Sequence, residues 1–136
     1  MKLNPYLYFP GSCKEAMTAY AEALGGKIVA MLPYGDMPGE NEMPADLSEK
    51  IAHACLNVGD QLLMASDLGP SHFQPMQGTA VTLNIPEPAE AERVFNALAE
   101  GGAVTMPLEE TFWAAKFGLL TDRFGTRWMI NCVKPQ

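Results

Sequence analysis

An internal repeat constrains the fold of this chain more than any other feature. When the sequence is aligned with itself at an offset of 76 residues, leucine, proline and glycine positions coincide. The matched positions are Leu7 and Leu83, Pro10 and Pro86, and Gly25-Gly26 and Gly101-Gly102. Further along, an offset of 66 aligns Leu62-Leu63-Met64 with Trp128-Met129-Ile130, so the first copy carries about ten extra residues. We therefore expect two similar modules, at residues 1–70 and 76–136.

Each copy has the pattern of a strand, a helix and three further strands. Ser12-Cys13-Lys14-Glu15 has the spacing of a capping box, and Gly25-Gly26 is a typical helix end. In the second copy, Pro86-Glu87-Pro88 begins the helix and Gly101-Gly102 ends it. The predicted strands are 4–9, 27–33, 51–58, 61–66, 79–85, 104–107, 115–122 and 127–133. The pattern predicts an α+β protein made of two βαβββ modules.

Composition limits the partners of the chain. Its formal net charge is −7 and it has no basic run, so we expect no nucleic-acid partner. No stretch approaches the ~20 apolar residues that span a bilayer, and the N-terminus lacks the apolar region of a signal peptide. We expect a cytoplasmic protein without a membrane partner. Three separated cysteines, Cys13, Cys55 and Cys132, predict buried reduced thiols and no disulfide framework.

Strand alternation separates two faces of the expected sheets. One set is apolar, and a helix should cover it: Leu7, Phe9, Leu62, Met64, Val81, Leu83, Ile85, Trp128 and Ile130. The other set mixes aromatic rings, hydroxyls and amides with small residues: Asn4, Tyr6, Tyr8, Leu63, Ala65, Ala80, Thr82, Asn84, Arg127, Met129 and Asn131. This second set is typical of a ligand cavity. The alternative is that it faces solvent or a partner subunit.

Several motifs resemble one family over nearly the whole chain. They are Asn4-Pro5-Tyr6-Leu7, His53-Ala54, Met64-Ala65-Ser66-Asp67, Thr111-Phe112-Trp113-Ala114, and Thr121-Asp122 followed by Phe124-Gly125 and Trp128-Met129-Ile130-Asn131. In them the chain resembles the PhnB-like, or demethylubiquinone methyltransferase-like, branch of the vicinal-oxygen-chelate superfamily. The resemblance implies a single domain over 1–136 with the glyoxalase/bleomycin-resistance/dioxygenase fold and pseudo-twofold symmetry. It also implies a cavity shared by the modules and a homodimer.

The resemblance also implies where a divalent metal would be held. Superfamily enzymes use His and Glu side chains at positions that correspond, to within about one residue, to Asn4, Leu63, Ala80 and Met129. None of these is a usual ligand of a divalent ion. We therefore predict no metal and no other cofactor. A glycine-rich cofactor turn on a doubly wound pattern, which an adenosyl cofactor would use, is also missing from the sequence, which argues against methyl transfer.

A few other residues are candidates for chemistry. His53 and Cys55 share a strand face and could form a Cys/His pair, but we favour a buried, hydrogen-bonded structural histidine on the helix side of the sheet. Glu110, with its neighbour Glu109, precedes Phe112-Trp113, where a raised carboxylate pKa would suit a general acid or base. We favour solvated positions for both glutamates, and we expect His72 to be exposed. Asp122 has the setting of a turn-forming aspartate.

Two loops are rich in proline, glycine and methionine, at 34–49 and 67–78. The first is acidic and contains the extra residues of the first copy. We interpret both loops as solvated connectors, with lids or dimer contacts as the alternative.

Three functions stay open at this point. The first is binding of a small hydrophobic or aromatic molecule in the cavity without the usual metal, through Tyr6, Tyr8, Thr82, Asn84, Trp113, Met129 and Asn131. The second is a metal-dependent lyase, isomerase, dioxygenase or thiol transferase with a non-standard site recruited from His53, Glu109 or Glu110. The third is a dimeric regulatory or partner-binding module. We favour the first, in which enzymatic turnover is undecided.

Overall fold

The computed structural model describes residues 1–37 and 47–134. The chain divides into two compact units, Met1–Pro75 and Met76–Gln136, and each contains one four-stranded sheet and one long helix. No helix in the described ranges is long and apolar enough to cross a membrane. The central part of the acidic loop predicted at 34–49 lies outside the described residues.

In the first unit the elements follow the order strand, helix and three strands. They are β1 (Tyr6–Phe9), α1 (Cys13–Leu24), β2 (Lys27–Pro33), β3 (Ile51–Val58) and β4 (Gln61–Asp67). The strand order in the sheet is β1-β4-β3-β2. β1 runs parallel to β4, while the other neighbours are antiparallel. The first and last strands of the unit are therefore neighbours in the sheet.

The second unit repeats this architecture. Its elements are β5 (Val81–Asn84), α2 (Pro88–Ala99), β6 (Ala103–Glu109), β7 (Ala114–Thr121) and β8 (Arg127–Val133). The sheet order is β5-β8-β7-β6, again with one parallel pair, β5 and β8. The two βαβββ modules predicted from the repeat are confirmed. The bounds of β2, β3 and β8 agree with the prediction, whereas β1 and β5 are shorter and β6 is longer.

The start of α1 differs from the predicted capping box. Ser12 occupies the N-cap position but makes no side-chain capping bond. Instead, Asp67 Oδ1 accepts hydrogen bonds from the backbone amides of Gly11 at 3.0 Å and Cys13 at 2.9 Å, and its Oδ2 accepts one from Ile51 at 2.9 Å. A residue at the end of β4 thus caps the helix, because the parallel pairing places β4 beside β1 and the turn that follows it. The predicted end of α1 at Gly25 is confirmed by its left-handed φ of 69°.

Asp122 closes the turn between β7 and β8, as expected. Its Oδ1 accepts from the backbone amides of Phe124 and Thr126, and its Oδ2 accepts from Trp128 Nε1 at 2.8 Å. Asp122 is buried, so its carboxylate depends on these donors for the hydrogen bonds that water would otherwise give. The turn and the indole at the start of β8 are fixed together.

The helix-covered face of the first sheet corrects one prediction. Leu7 pairs with Ala65 and Ala54 also pairs with Ala65, so these three residues share a face. Leu63 lies on that face and is buried, whereas Leu62 and Met64 are only half-buried and lie on the opposite face. The prediction that Leu62 and Met64 join Leu7 and Phe9 beneath the helix, with Leu63 and Ala65 opposite, is wrong. β4 is one residue out of phase with that prediction.

In the second unit, the predicted apolar face agrees with the structure. Val81 pairs with Trp128 and Leu83 with Ile130, and both residues of β8 are buried. The buried residues of α2 are Ala91, Val94, Phe95 and Leu98. At Gly118 of β7 the helix packs so closely that an added Cβ would lie 2.8 Å from Phe95 Cε2. Glycine at this position therefore allows α2 to approach the sheet.

Candidate functional site

The face of each sheet that its own helix leaves uncovered is called the open face below. In the first unit the open face carries Tyr6 and Tyr8 of β1, Met64 and Ser66 of β4, and His53 and Cys55 of β3, as the pairing register requires. The rings of Tyr6 and Tyr8 lie 5.3 Å apart between centroids. They remain 38% and 53% exposed, respectively. Two adjacent aromatic side chains are thus available on this face.

His53 belongs to the same aromatic group. Its ring is stacked on Tyr6 with a centroid distance of 6.0 Å, and the Tyr6 hydroxyl oxygen lies 3.3 Å from His53 Nδ1 in a hydrogen bond. The histidine is half-buried. The interpretation of His53 as a buried histidine on the helix side is therefore wrong in both respects, because β4 and β3 have the opposite phase to that assumed. Tyr6 and His53 are therefore joined by a ring contact and a hydrogen bond at the open face.

The thiols are less suited to chemistry. Cys13, Cys55 and Cys132 are all free and buried, as predicted. Burial raises the pKa of the Cys13 thiol to about 12, and the negative charge of Asp67 adds to the increase. Because the thiolate is the nucleophile, a thiol held protonated in this way is inert near neutral pH. The same two causes raise the pKa of Tyr34, whose hydroxyl donates to the Asp67 carbonyl oxygen at 2.7 Å.

On the open face of the second unit, two side-chain pairs link β5 to β8. The Thr82 hydroxyl donates to Met129 Sδ at 3.5 Å, and Asn131 Nδ2 donates to Asn84 Oδ1 at 3.0 Å. In both cases the two residues are cross-strand partners in the parallel pair. The structure therefore brings together four of the residues predicted to bind a ligand.

One atom of this group lacks a hydrogen bond. Asn131 Oδ1 is buried and has no partner among the described residues, although the amide nitrogen of the same side chain is satisfied. A buried acceptor without a donor costs about 1–3 kcal/mol. Such an atom in a folded protein calls for an explanation, and a bound molecule or an ordered water is the usual one.

Aromatic side chains continue the open face of the second unit at one end. Trp113, one of the predicted ligand-binding residues, lies edge-on to Phe112 at 4.8 Å and to Phe117 at 5.3 Å between ring centroids. Phe117 is in turn the cross-strand partner of Asn131. The sequence prediction did not include Phe117. Strand alternation in β7 could have identified it, because Phe117 and Leu119 alternate with Gly118 and Leu120, which are buried on the helix side.

The other candidates for chemistry lie in solvent-accessible positions. Glu110 has a 74% exposed side chain and forms an ion pair with Lys134 at 3.5 Å. Glu109 is also exposed, at the end of β6. His72 is exposed, and its Nδ1 lies 3.1 Å from the Ser71 hydroxyl. These positions favour solvated side chains over a general acid or base.

The residues at the implied metal positions do not fit a divalent ion. Asn4 is half-buried and Ala80 is exposed, and Leu63 belongs to the core beneath α1. The open-face residue of β4 within one position of Leu63 is Met64, which corresponds to Met129 in the second unit. An amide, a methyl group and two thioethers are poor ligands for the metals that His and Glu bind. In the described ranges, no group of three or more His, Cys, Asp and Glu residues could hold a metal ion.

Comparison with known proteins identifies relatives along the full chain. The family model for 3-demethylubiquinone-9 3-methyltransferase matches residues 1–131. Protein YjdN of Escherichia coli K12 is 36% identical over 144 residues, with 100% of this chain and 98% of that protein covered. Protein PA1353 of Pseudomonas aeruginosa is 52% identical, with 99% of both chains covered and a TM-score of 0.91. The PhnB protein of Bacillus cereus is 27% identical, with 98% and 100% covered and a TM-score of 0.80.

A more distant structure establishes the fold. The glyoxylase/bleomycin resistance protein/dioxygenase domain from Frankia is 13% identical, with 98% of each chain covered and a TM-score of 0.66. Agreement of the backbone at this level of identity concerns the fold alone. The chain therefore belongs to the 3-demethylubiquinone-9 3-methyltransferase-like, PhnB-like family and has the glyoxalase/bleomycin-resistance fold.

Proposed function

We propose that this chain binds a small aromatic or hydrophobic molecule on its open faces, without a divalent metal. The exposed ring pair of Tyr6 and Tyr8 is the observation that carries the proposal. Tyrosine presents a large apolar surface together with a polar tip, and buried surface of this kind dominates the binding of small molecules. The half-buried Met64 beside Tyr6 in the sheet adds an adaptable apolar surface.

The open face of the second unit supports the same function. Met129, Phe117 and Trp113 supply apolar and aromatic surface, while Thr82, Asn84 and Asn131 supply a few polar groups. A mostly apolar surface with few polar groups is typical of ligand sites. A ligand of this kind would bind against the apolar and aromatic side chains of these open faces.

Proton transfer to the bound molecule is a second candidate function. The contact between Tyr6 and His53 favours it, because a histidine whose Nδ1 is engaged by a neighbour can use its other ring nitrogen toward a ligand. A lyase or isomerase would use such a pair without a metal. The metal-dependent alternative, with a site recruited from His53, Glu109 or Glu110, has less support, because these glutamates are exposed.

Thermal-shift screening of the purified protein against small aromatic compounds tests the proposal. We expect at least one class of compound to raise Tm, and Tyr8→Ala to weaken its binding by about tenfold through lost ring contact. Val29→Ala is the matched control, since Val29 is also 53% exposed but lies on β2 outside the group. Equal weakening by both variants, or no binding by any compound, would contradict the proposal.

Metal analysis of the same preparation separates the metal-free reading from its alternative. We expect less than a stoichiometric amount of divalent metal, and compound binding unchanged by a chelator. One tightly bound divalent ion per chain that is lost in His53→Ala would support the metal-dependent enzyme instead.

A further inference from the structure

We propose that the molecule bound on the open face of the second unit donates a hydrogen bond to Asn131 Oδ1 from an N–H or O–H group. The inference rests on the proposed binding function and specifies the chemical class of ligand. An aromatic or otherwise apolar compound with a donor at its edge belongs to this class, and a carboxylate or a phosphate does not.

The hydrogen bond to Asn84 fixes the orientation of the Asn131 amide. Its Nδ2 group donates to Asn84 Oδ1, and both residues stand at the same level of the parallel pair of β5 and β8. This bond uses the donor side of Asn131 and directs the acceptor side elsewhere. The buried atom that remains without a partner is thus an acceptor.

The side chains around Asn131 offer no donor in its place, since Asn84 takes part in the pair through its oxygen. The Thr82 hydroxyl already donates to Met129 Sδ. Phe117, the cross-strand partner of Asn131 on β7, has no polar atom in its side chain. A donor for Asn131 Oδ1 therefore has to come from outside this group, either from water or from a ligand.

The charge and shape of this group limit the ligand further. Thr82, Asn84, Met129, Phe117 and Asn131 are all uncharged, and the cross-strand partner of Phe117 on β6 is the acidic Glu109, so an anion finds no positively charged partner among them. An anion would also place its own lone pairs against the Asn131 oxygen, which is unfavourable. Phe117 and the edge-on Trp113 next to it provide ring surface for an aromatic body. A compound with an aromatic body and an N–H or O–H group at its edge would pack against these rings and donate to Asn131 Oδ1.

Isosteric compound pairs test the inference. We would measure Kd by calorimetry for indole against benzofuran, phenol against fluorobenzene, and 2-naphthol against 2-fluoronaphthalene, in which only the first member donates a hydrogen bond. The donor should bind about tenfold more tightly, since the other member leaves the acceptor unsatisfied. In Asn131→Leu this preference should disappear. Thr105→Val, an exposed change on β6, should keep it.

The outcomes separate this inference from the function on which it rests. If both members of each pair bind wild type equally, the binding function stands, but the inference that the ligand donates a hydrogen bond to Asn131 Oδ1 is overturned. Tighter binding of the members without a donor also overturns this inference. If no compound of any pair binds, the proposed function fails together with the inference. Should Asn131→Leu not fold, Asn131→Ala removes the same acceptor with a smaller side chain and takes its place in the comparison.

Discussion

The Asp67 carboxylate caps helix α1 by accepting a hydrogen bond from the backbone amide of Cys13, the first helical residue, at 2.9 Å. Asp67 lies at the end of β4 and is separated from Cys13 by more than fifty residues along the chain. The bond joins the first helix to the last strand of the first unit. It also places a buried negative charge at the helix N-terminus, where the helix dipole favours one.

Asp67→Asn should destabilise the protein. The amide can replace one of the accepting oxygens but turns an NH2 group toward a backbone N–H, so that at least one buried donor loses its partner. We expect the free energy of unfolding to fall by about 3 kcal/mol, as is typical for bonds to a buried charge. Urea denaturation measures this change. Asp60→Asn, at an exposed turn, is the control and should change stability by less than about 0.5 kcal/mol.

Because the pKa of the Cys13 thiol is raised, we expect the stability of the protein to decrease at alkaline pH. The pKa of this thiol is raised from 9.0 to about 12 in the folded protein. Above pH 9 the unfolded chain therefore loses a proton that the folded chain keeps, and the free energy of unfolding falls as pH rises from 9 toward 12. Below pH 9 the thiol is protonated in both states and contributes no slope.

The measurement is urea denaturation at several pH values for wild type and for Cys13→Ala. The difference in stability between the two proteins should be constant up to about pH 9 and then change in favour of the variant. Parallel curves for the two proteins over the whole range would show that Cys13 has an ordinary pKa.

Gly118→Ala tests the close packing of α2 on the second sheet. The added Cβ would lie 2.8 Å from Phe95 Cε2 and 3.0 Å from the Leu108 Cα, so that the helix or the adjacent strand has to shift. Overpacking of this kind costs about 1–3 kcal/mol. Gly69→Ala is the matched control, since its Cβ would meet only Leu47 at 3.6 Å. A loss of stability equal to that of the control would refute the close contact.

Homodimer formation stays a prediction from the family resemblance. Sedimentation at micromolar concentration should give twice the 14.8 kDa mass of one chain. Apolar side chains on β6, Val104 and Met106, are exposed within the described structure and offer surface for such an association. A mass of one chain across the micromolar range would refute the prediction.

Much of the fold could be predicted from the sequence because the two copies repeat the same local signals. Glycine pairs end the helices and strand alternation is unambiguous in β8, where Trp128 and Ile130 alternate with Met129 and Asn131. The residues of β5 and β8 on the open face of the second unit therefore agree with the prediction, whereas Phe117 and Leu119 of β7 are missing from it.

β4 shows why the open face of the first unit was not fully predicted. Leu62, Leu63 and Met64 are all apolar, so that alternation cannot fix which of them faces the helix. A tertiary contact decides which residues of β4 face the helix. Asp67 reaches the N-terminus of α1, so Ala65 and Leu63, which alternate with it along the strand, also face the helix. The aligned offset of 66 was one residue too long for this strand. His53 was misplaced for the same reason.

Metal-free binding on the open faces is tested most directly by a nuclear magnetic resonance titration of the isotope-labelled protein. The titrants are small aromatic compounds, and a chelator is present throughout. We predict saturable shifts of the Asn131 and Asn84 side-chain amide signals and of the Tyr6 and Tyr8 ring signals, with no requirement for metal. Shifts that appear only after a divalent metal is added, or no saturable shift with any compound, would contradict the proposal that these open faces bind a small molecule without a metal.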